Sequence, residues 1–221
     1  MRELKGERLE KELERLKLMH EYEEAHSEYA LIAGIDEAGR GPLAGPVVAA
    51  CCILPKDAVI LYLNDSKKLS EKRREALFPE VMEKALAYGV GIVDEERIDE
   101  INILQADYEA MRIAIDKTST MLKEKGLGET PELLLNDAVE IPGVEIPQIS
   151  IIKGDAKSVS IAAASVLAKV TRDHLMAEYD EKYPGYGFAK HKGYGTAAHI
   201  AALKELGPCP IHRRSFIKKF V

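Results

Sequence analysis

Two adjacent acidic residues, Asp36 and Glu37, stand where a short apolar segment ends. Residues 31–36 are typical of a β-strand, and the Gly- and Pro-rich residues 39–46 are typical of a turn. Acids at the carboxyl end of a strand are costly unless they are solvated, paired or bound to a cation, and open α/β sheets bind ligands at that edge. Mg²⁺ and Mn²⁺ prefer such oxygen ligands. The pair therefore favours a divalent-cation site.

Two further acids stand at places that would complete this site. Asp137 ends a second apolar strand, and Asp173 lies on a predicted helix. On that helix Ser165, Lys169 and Asp173 follow one another at i, i+4 and i+8, so they share one face. Four carboxylates from two strand ends and a helix can hold two metal ions roughly 4 Å apart, an arrangement that cleaves phosphodiesters.

Other interpretations of these acids stay open at this point. A regular strand turns adjacent side chains to opposite faces, so Asp36 and Glu37 converge only if the strand ends or bulges there. Acids at strand ends are also common on protein surfaces. A dinucleotide site is disfavoured, because Gly39, Gly41 and Gly45 lack the required spacing and the acids would repel a pyrophosphate.

The composition indicates one soluble α/β domain. The chain has 221 residues, of which 46% are hydrophobic and 31% charged. No apolar run approaches the ~20 residues that cross a bilayer, and residues 1–30 contain no apolar segment typical of a secretory signal. Three cysteines, two of them adjacent, do not form a disulfide framework. We therefore expect a cytoplasmic monomer with no membrane partner.

The charge is unevenly distributed. The net charge of −6 argues against a protein that coats nucleic acid without selectivity. Residues 181–221, however, hold eight Lys and Arg against two Glu. This basic segment is either a solvated tail or a surface for an anionic polymer.

Hydrophobic periodicity predicts the elements that position these residues. We expect strands over 31–36, 47–54, 88–94, 133–137 and 149–153, and helices over 2–26, 70–87, 101–123, 158–179 and 196–206. Pro79 is predicted to break the second helix, and residues 183–196 are predicted to form a loop. This order predicts a mixed sheet flanked by helices, with residues 1–30 as a loosely packed helical extension and 31–221 as the main domain.

Several blocks of the sequence resemble the ribonuclease HII family, the type-2 ribonucleases H. The blocks follow the family's order, and they are 34–48 (GIDEAGRGPLAGPVV), 65–69 (DSKKL), 153–155 (KGD), 160–165 (SIAAAS), 168–173 (AKVTRD), 186–188 (YGF), 191–196 (HKGYGT) and 212–216 (HRRSF). The resemblance implies an RNase H-like fold with a central mixed sheet, flanking helices and a helical C-terminal part. It also implies endonucleolytic cleavage of RNA in RNA–DNA hybrids and at single ribonucleotides embedded in duplex DNA.

The resemblance also implies roles for single residues. Those expected to hold two Mn²⁺ or Mg²⁺ ions are Asp36, Glu37, Asp137 and Asp173. Those expected to contact the substrate are Gly39, Arg40, Gly41, Lys67, Lys68, Lys169 and Tyr194. In the family pattern the Gly-Arg-Gly turn reads the 2′-hydroxyl, and the tyrosine packs on the sugar after the ribonucleotide. The lysines and Arg40 are expected to contact phosphates.

Other polar residues are expected to have structural roles. Asp155 is expected to cap a helix, Ser165 to pack in the core, and His191 and His212 to anchor loops. One departure from the family pattern affects the third acid: Asn136 stands where an apolar residue is usual, so Glu140 is the alternative to Asp137. Residues 1–30 lie outside the resemblance.

Two other functions remain open. A different nuclease or a recombinase with the same fold would share the acids but lack the combination of the glycine turn with Tyr194. A catalytically silent hybrid-binding protein would gain nothing from four acids where phosphate must lie.

Overall fold

The computed structural model describes residues 4–221 and contains a five-stranded mixed sheet in the order β3-β2-β1-β4-β5. The strands are β1 Ile32–Ala38, β2 Val47–Ile53, β3 Ala87–Val93, β4 Leu133–Asp137 and β5 Gln148–Ile151. β3, β2 and β1 are antiparallel neighbours, whereas β1, β4 and β5 run parallel. The predicted mixed sheet is confirmed, and all five strands lie within two residues of the predicted bounds.

Helices cover both faces of the sheet. They are α1 Glu7–Met19, α2 Glu21–Ala25, α3 Glu71–Lys84, α4 Glu95–Glu124, α5 Val159–Lys182, α6 Phe188–His191, α7 Ala197–Leu206 and α8 Arg214–Ile217. α4 packs on one face of β1–β3 and α5 on the other. None of the helices within residues 4–221 combines the length and the apolarity that crossing a bilayer requires.

The glycine in β1 brings α5 close to the sheet. A Cβ atom on Gly34 would lie 2.0 Å from the backbone carbon of Ser160, so only glycine permits this approach. Alternating β1 residues face the two helices: Ala33 and Ile35 pack toward α4, whereas Gly34 faces α5. The same alternation determines which face each acid of β1 occupies.

Two helices differ from their predicted bounds for local reasons. Pro79 lies inside α3 without ending it, because Leu77 and Val81 on either side are both buried in the core. α4 starts earlier than predicted, at Glu95, and is interrupted at Asn102 (φ 66°). The Asn102 side chain accepts hydrogen bonds from the backbone N–H groups of Leu104 and Gln105, so it restarts the helix close to the predicted position.

Residues 4–30 pack more closely on the sheet domain than their charged sequence predicts. Leu16 and Met19 are buried in the core on the α5 side. Glu23 accepts hydrogen bonds from the hydroxyl of Ser158 (2.6 Å) and from the backbone N–H of Ser160 (3.1 Å), at the start of α5. The first positions of the helix predicted over 2–26 lie outside the described residues.

The C-terminal part contains two short helices that the sequence did not predict, α6 and α8. The predicted last helix is confirmed, because α7 ends at Leu206 and the Thr196 hydroxyl caps its first turn through the N–H of His199. The histidines anchor loops, as expected: His191 bonds to the carbonyl of Tyr186 (2.8 Å), and His212 contacts Cys209 and His199.

Candidate active site

Asp36 and Asp137 come to the same level at the carboxyl end of the parallel strands. The β1–β4 register pairs Ile35 with Asn136, so the next residue of each strand is an acid on the α5 side. Asn136 does not disturb this register, because its buried amide donates to Gln148 Oε1 (2.8 Å). Glu140 is exposed beyond the strand end. The geometry thus favours Asp137 over Glu140.

Asp36 is only 2% exposed. Its Oδ1 accepts a hydrogen bond from the N–H of Glu37 (2.8 Å), whereas its Oδ2 is buried without a hydrogen-bond partner among residues 4–221. Burial raises the pKa of Asp36 well above its ordinary value, and the charges of Glu37 and Asp137 raise it further. A buried carboxylate with one unsatisfied oxygen and two acidic neighbours fits a bound cation.

Glu37 lies on the opposite face of β1 from Asp36. β1 pairs with β2 without a bulge as far as Ala38, so the two acids do not converge in the way that a bulged strand would allow. Glu37 forms an ion pair with Arg40 (3.6 Å). Burial, followed by Asp137, raises the pKa of Glu37, while Arg40 opposes the rise. Glu37 is therefore electrostatically coupled to the other two acids although it projects from the other face.

Asp173 lies on α5 and is held by two cations. Lys169 contacts it at 2.5 Å and Arg74 at 3.7 Å. Within residues 4–221, no three His, Cys, Asp or Glu side chains are already gathered as a set of metal ligands. Asp36 and Asp137 lie side by side at the edge of the sheet, whereas the contacts of Glu37 and Asp173 are with basic side chains.

Two neighbouring polar residues differ from their expected roles. Ser165 does more than pack, because its hydroxyl bonds to that of Ser66 (2.8 Å) and partly offsets the raised pKa of Asp36. Asp155 is not the helix cap. Ser158 takes that position, and its hydroxyl accepts from the N–H of Ile161. Burial and then Asp137 raise the pKa of Asp155 to about 6, so this residue is electrostatically part of the acidic edge.

The turn after β1 uses its two glycines differently. Gly39 has φ +102°, and a Cβ there would lie 2.1 Å from Nε of Arg172, so the fold itself requires glycine. Gly41 has no such constraint, since the nearest atom to a Cβ would be Cε1 of Tyr194 at 3.7 Å. Tyr194 is 47% exposed beside it. The structure therefore brings Gly41 and Tyr194 together at an open surface.

The three lysines differ in their relation to the acids. Lys67 is 69% exposed and lies 3.9 Å from Asp155, and its pKa is raised by Asp36 and other acids although burial opposes the rise. Lys169 contacts Asp173, and burial lowers its pKa. Lys68 points to Asp65 (4.0 Å). Lys67 and Lys169 thus adjoin the acidic edge more closely than Lys68.

Comparison with known proteins identifies the family. The family model for ribonuclease HII matches residues 33–219. The chain belongs to the ribonuclease HII family. It is 65% identical to the ribonuclease HII of Lachnoclostridium phytofermentans over 96% of this chain and 80% of that protein. It is 57% identical to that of Acetivibrio thermocellus over 99% and 83%, respectively.

Solved structures support the fold. The ribonuclease H2 of Pyrococcus horikoshii aligns with a TM-score of 0.67 and 28% identity, over 86% of this chain and 96% of that one. A Bst-RNase HIII structure in complex with Mn²⁺ aligns with a TM-score of 0.64 and 18% identity, over 82% and 63%, and shows the fold alone. The expected RNase H-like fold is confirmed. As a ribonuclease HII family member, the chain is a metal-dependent endoribonuclease that cleaves RNA in RNA–DNA hybrids.

Two buried arginines support the turn of this ribonuclease HII family member, and the sequence did not reveal their role. Arg213 donates to the carbonyls of Gly39 (2.6 Å), Arg40 (3.0 Å) and Gly45 (2.9 Å). Arg172 donates to the carbonyl of Pro46 (2.9 Å) and to others nearby. Part of the basic C-terminal segment is therefore structural, because Arg213 is neither in a solvated tail nor available to a polymer.

Proposed function

We propose that this chain, beyond cleaving RNA in RNA–DNA hybrids as its family does, also cuts on the 5′ side of single ribonucleotides embedded in duplex DNA. Asp36 and Asp137 on the α5 side of the sheet, Asp173 on α5, and Glu37 reaching round from the other face of β1 would together hold two Mn²⁺ or Mg²⁺ ions. The observation that carries the proposal is the buried, unpartnered Oδ2 of Asp36, level with Asp137 at the edge where ligands bind.

The acids fit a hydrolysis that leaves 5′-phosphate and 3′-hydroxyl ends. When bound, the two ions supply an activated water and stabilise the leaving 3′ oxygen. Asp36 and Asp137 are held by the β1–β4 register, and Asp137 Oδ1 is fixed by the N–H of Gly154 (2.7 Å). These constraints keep the ligand oxygens in place before substrate arrives, so little reorganisation is needed on binding.

Gly41 is suited to reading the 2′-hydroxyl of a ribonucleotide. The fold does not need glycine there, and the absence of a side chain would let a ligand approach the backbone closely. The carbonyls of Gly39 and Arg40 are taken by Arg213, which fixes the turn. Tyr194, half-exposed beside Gly41, would pack on the next sugar and so sense the junction between RNA and DNA.

Basic side chains around the acids are suited to phosphate. Lys67 and Arg40 are partly exposed beside the acidic edge, Lys169 adjoins Asp173, and Lys68 extends the same surface. Such contacts position the duplex without reading its sequence. Together with Gly41 and Tyr194 they distinguish this proposal from another nuclease or a recombinase with the same fold.

A cleavage assay tests the proposal. Labelled DNA duplexes containing one ribonucleotide, a continuous RNA–DNA hybrid and an all-DNA duplex are incubated with Mn²⁺, Mg²⁺ or EDTA, and products are mapped to the nucleotide. We expect a metal-dependent cut immediately 5′ of the ribonucleotide and none in the all-DNA duplex. Cleavage of the hybrid alone would remove the junction role of Tyr194. Binding without cleavage of any substrate would favour the silent hybrid-binding protein.

A further inference from the structure

We infer that Asp107, a buried acid of α4, is a positioning residue that holds the Arg40 guanidinium and prevents it from closing on Glu37 as a tight ion pair. The inference rests on the proposed function, because it takes Glu37 to be a metal ligand. No block of sequence that resembles the family includes Asp107.

Asp107 is unusual for its surroundings. It is 0% exposed, and its helix neighbours on the buried side are Ala106, Ala110 and Met111. Neither of its carboxylate oxygens has a hydrogen-bond partner among residues 4–221. Its ion pair is with Arg40, whose Nε lies 3.4 Å from Oδ2. A carboxylate placed among apolar residues without hydrogen bonds destabilises the fold, so packing does not account for an acid at this position.

The Arg40 guanidinium lies between two acids. Its Nη1 is 3.6 Å from Glu37 and its Nε is 3.4 Å from Asp107. Both distances exceed the ~2.8 Å of a direct charge-assisted hydrogen bond, so the cation is shared and closed on neither acid. The backbone of Arg40 is fixed separately, because Arg213 holds its carbonyl (3.0 Å). The side chain of Arg40 is therefore the part that can move, and Asp107 restrains it.

Loss of the Asp107 charge would leave Glu37 as the one acid paired with Arg40. The guanidinium would then close on Glu37 and compete with a divalent cation for its oxygens. Asp107 is not suited to be a ligand itself, since Arg40 stands between it and Glu37. The chemistry thus assigns Asp107 an indirect effect on metal affinity, transmitted through Arg40.

A double-mutant cycle on metal binding tests this assignment. Mn²⁺ binding to the metal-free protein, without substrate, is measured by the electron paramagnetic resonance of free Mn²⁺ in oxygen-free buffer at pH 8.5. This pH lies above the pKa of Asp107, which burial and then Glu37 raise to about 8. We expect Asp107→Asn to weaken Mn²⁺ binding about five-fold, the factor that corresponds to a half-exposed ion pair. Arg40→Ala is expected to tighten it.

The deciding measurement is Asp107→Asn in the Arg40→Ala background, where we expect no further weakening. An equal weakening in both backgrounds would overturn the inference, since it would mark Asp107 as a ligand or a general source of negative charge. The matched control is Asp116→Asn, an exposed acid of the same helix, which is expected to leave Mn²⁺ binding unchanged.

Two further outcomes are decisive. Unchanged binding by a folded Asp107→Asn variant, in a chain that otherwise binds Mn²⁺, would overturn the inference alone. Absence of Mn²⁺ binding by the unmodified chain would overturn the proposed function and the inference with it. If Asp107→Asn fails to fold, Arg40→Ala still decides, because binding no tighter than that of the unmodified chain contradicts competition by Arg40.

Discussion

Replacement of Asp36 by asparagine is expected to stabilise the metal-free protein at pH 8 and to abolish its response to Mn²⁺. Asp36 is buried, Oδ2 has no hydrogen-bond partner, and Glu37 and Asp137 repel its charge. The neutral amide removes the repulsion and the desolvated charge in one step. The same change removes a proposed metal ligand, so stability and activity should move in opposite directions.

The size of the effect follows from the burial of Asp36. An unsatisfied buried polar group costs ~1–3 kcal/mol, and a charged one more, so we expect a gain of ~2 kcal/mol in the free energy of unfolding. For a chain of 221 residues this raises Tm by about 4–8 °C. Saturation of the unmodified chain with Mn²⁺ at 100 times Kd adds ~2.7 kcal/mol, which the variant should lack.

The sign of the pH dependence is fixed by the raised pKa of Asp36. A carboxyl with a raised folded-state pKa contributes stability below its unfolded-state value, and this contribution is lost as pH rises through the folded-state value. The unmodified chain and Asp36→Asn should therefore have similar Tm values near pH 4 and diverge as pH rises to 8. Because the chain has no tryptophan, far-UV circular dichroism is the suitable probe, in EDTA and in Mn²⁺.

Two results would refute this reasoning. One is an Asp36→Asn variant that is less stable than the unmodified chain in EDTA at pH 8. The other is an equal rise of Tm with Mn²⁺ in both proteins, which would place the cation elsewhere. Asp116→Asn, an exposed acid of α4, serves as the control and should show neither effect.

Further substitutions separate folding from substrate contact. Gly41→Ala should leave Tm within about 1 °C, because the added Cβ would make only an ordinary contact with Tyr194 at 3.7 Å. The same variant should lower kcat/KM by about ten-fold or more in gel assays of cleavage. Gly39→Ala should fold poorly, because a Cβ there would clash with Arg172. Tyr194→Ala should slow cleavage at single ribonucleotides more than in continuous hybrids, and equal losses would reduce Tyr194 to packing. Glu23→Gln should lower the free energy of unfolding by ~1–3 kcal/mol, because the Glu23 carboxylate accepts a hydrogen bond from the Ser158 hydroxyl. Its kcat should not change. An unchanged Tm would contradict this prediction.

The positions of the strands, and the placement of Asp36 beside Asp137 at one edge of the sheet, were predictable from local sequence patterns. Asp137 ends an apolar strand, Asp36 follows the apolar part of β1, and the carboxyl ends of parallel neighbours meet at one edge. The helical spacing of Lys169 and Asp173 likewise predicted that they share one face of α5, where the two side chains form an ion pair. The association of Gly41 with Tyr194 was different, because no pattern of spacing links residues so far apart and the expectation came through the family resemblance.

Contacts that depend on how helices are rotated could not be predicted. Asp107 is one of several acids in a long charged helix, and its burial depends on the face that α4 presents after the interruption at Asn102. Arg213 is a comparable case, since its partners are carbonyls, which every residue carries. Sequence patterns identify charged residues, but they do not identify which of them the fold buries.

The basic residues around the acids contribute both to the stability of the fold and to the proposed function. Lys169 contacts Asp173 and Arg40 contacts Glu37, so these cations reduce the repulsion between the acids. Divalent ions carry more charge at the same carboxylates and would take over this neutralisation. The displaced ammonium and guanidinium groups would then face the space where phosphates must lie. The same side chains would therefore be counter-ions of the acids in the folded protein and phosphate contacts in the proposed reaction. This double role explains how a chain with a net negative charge can bind a polyanion beside a cluster of acids.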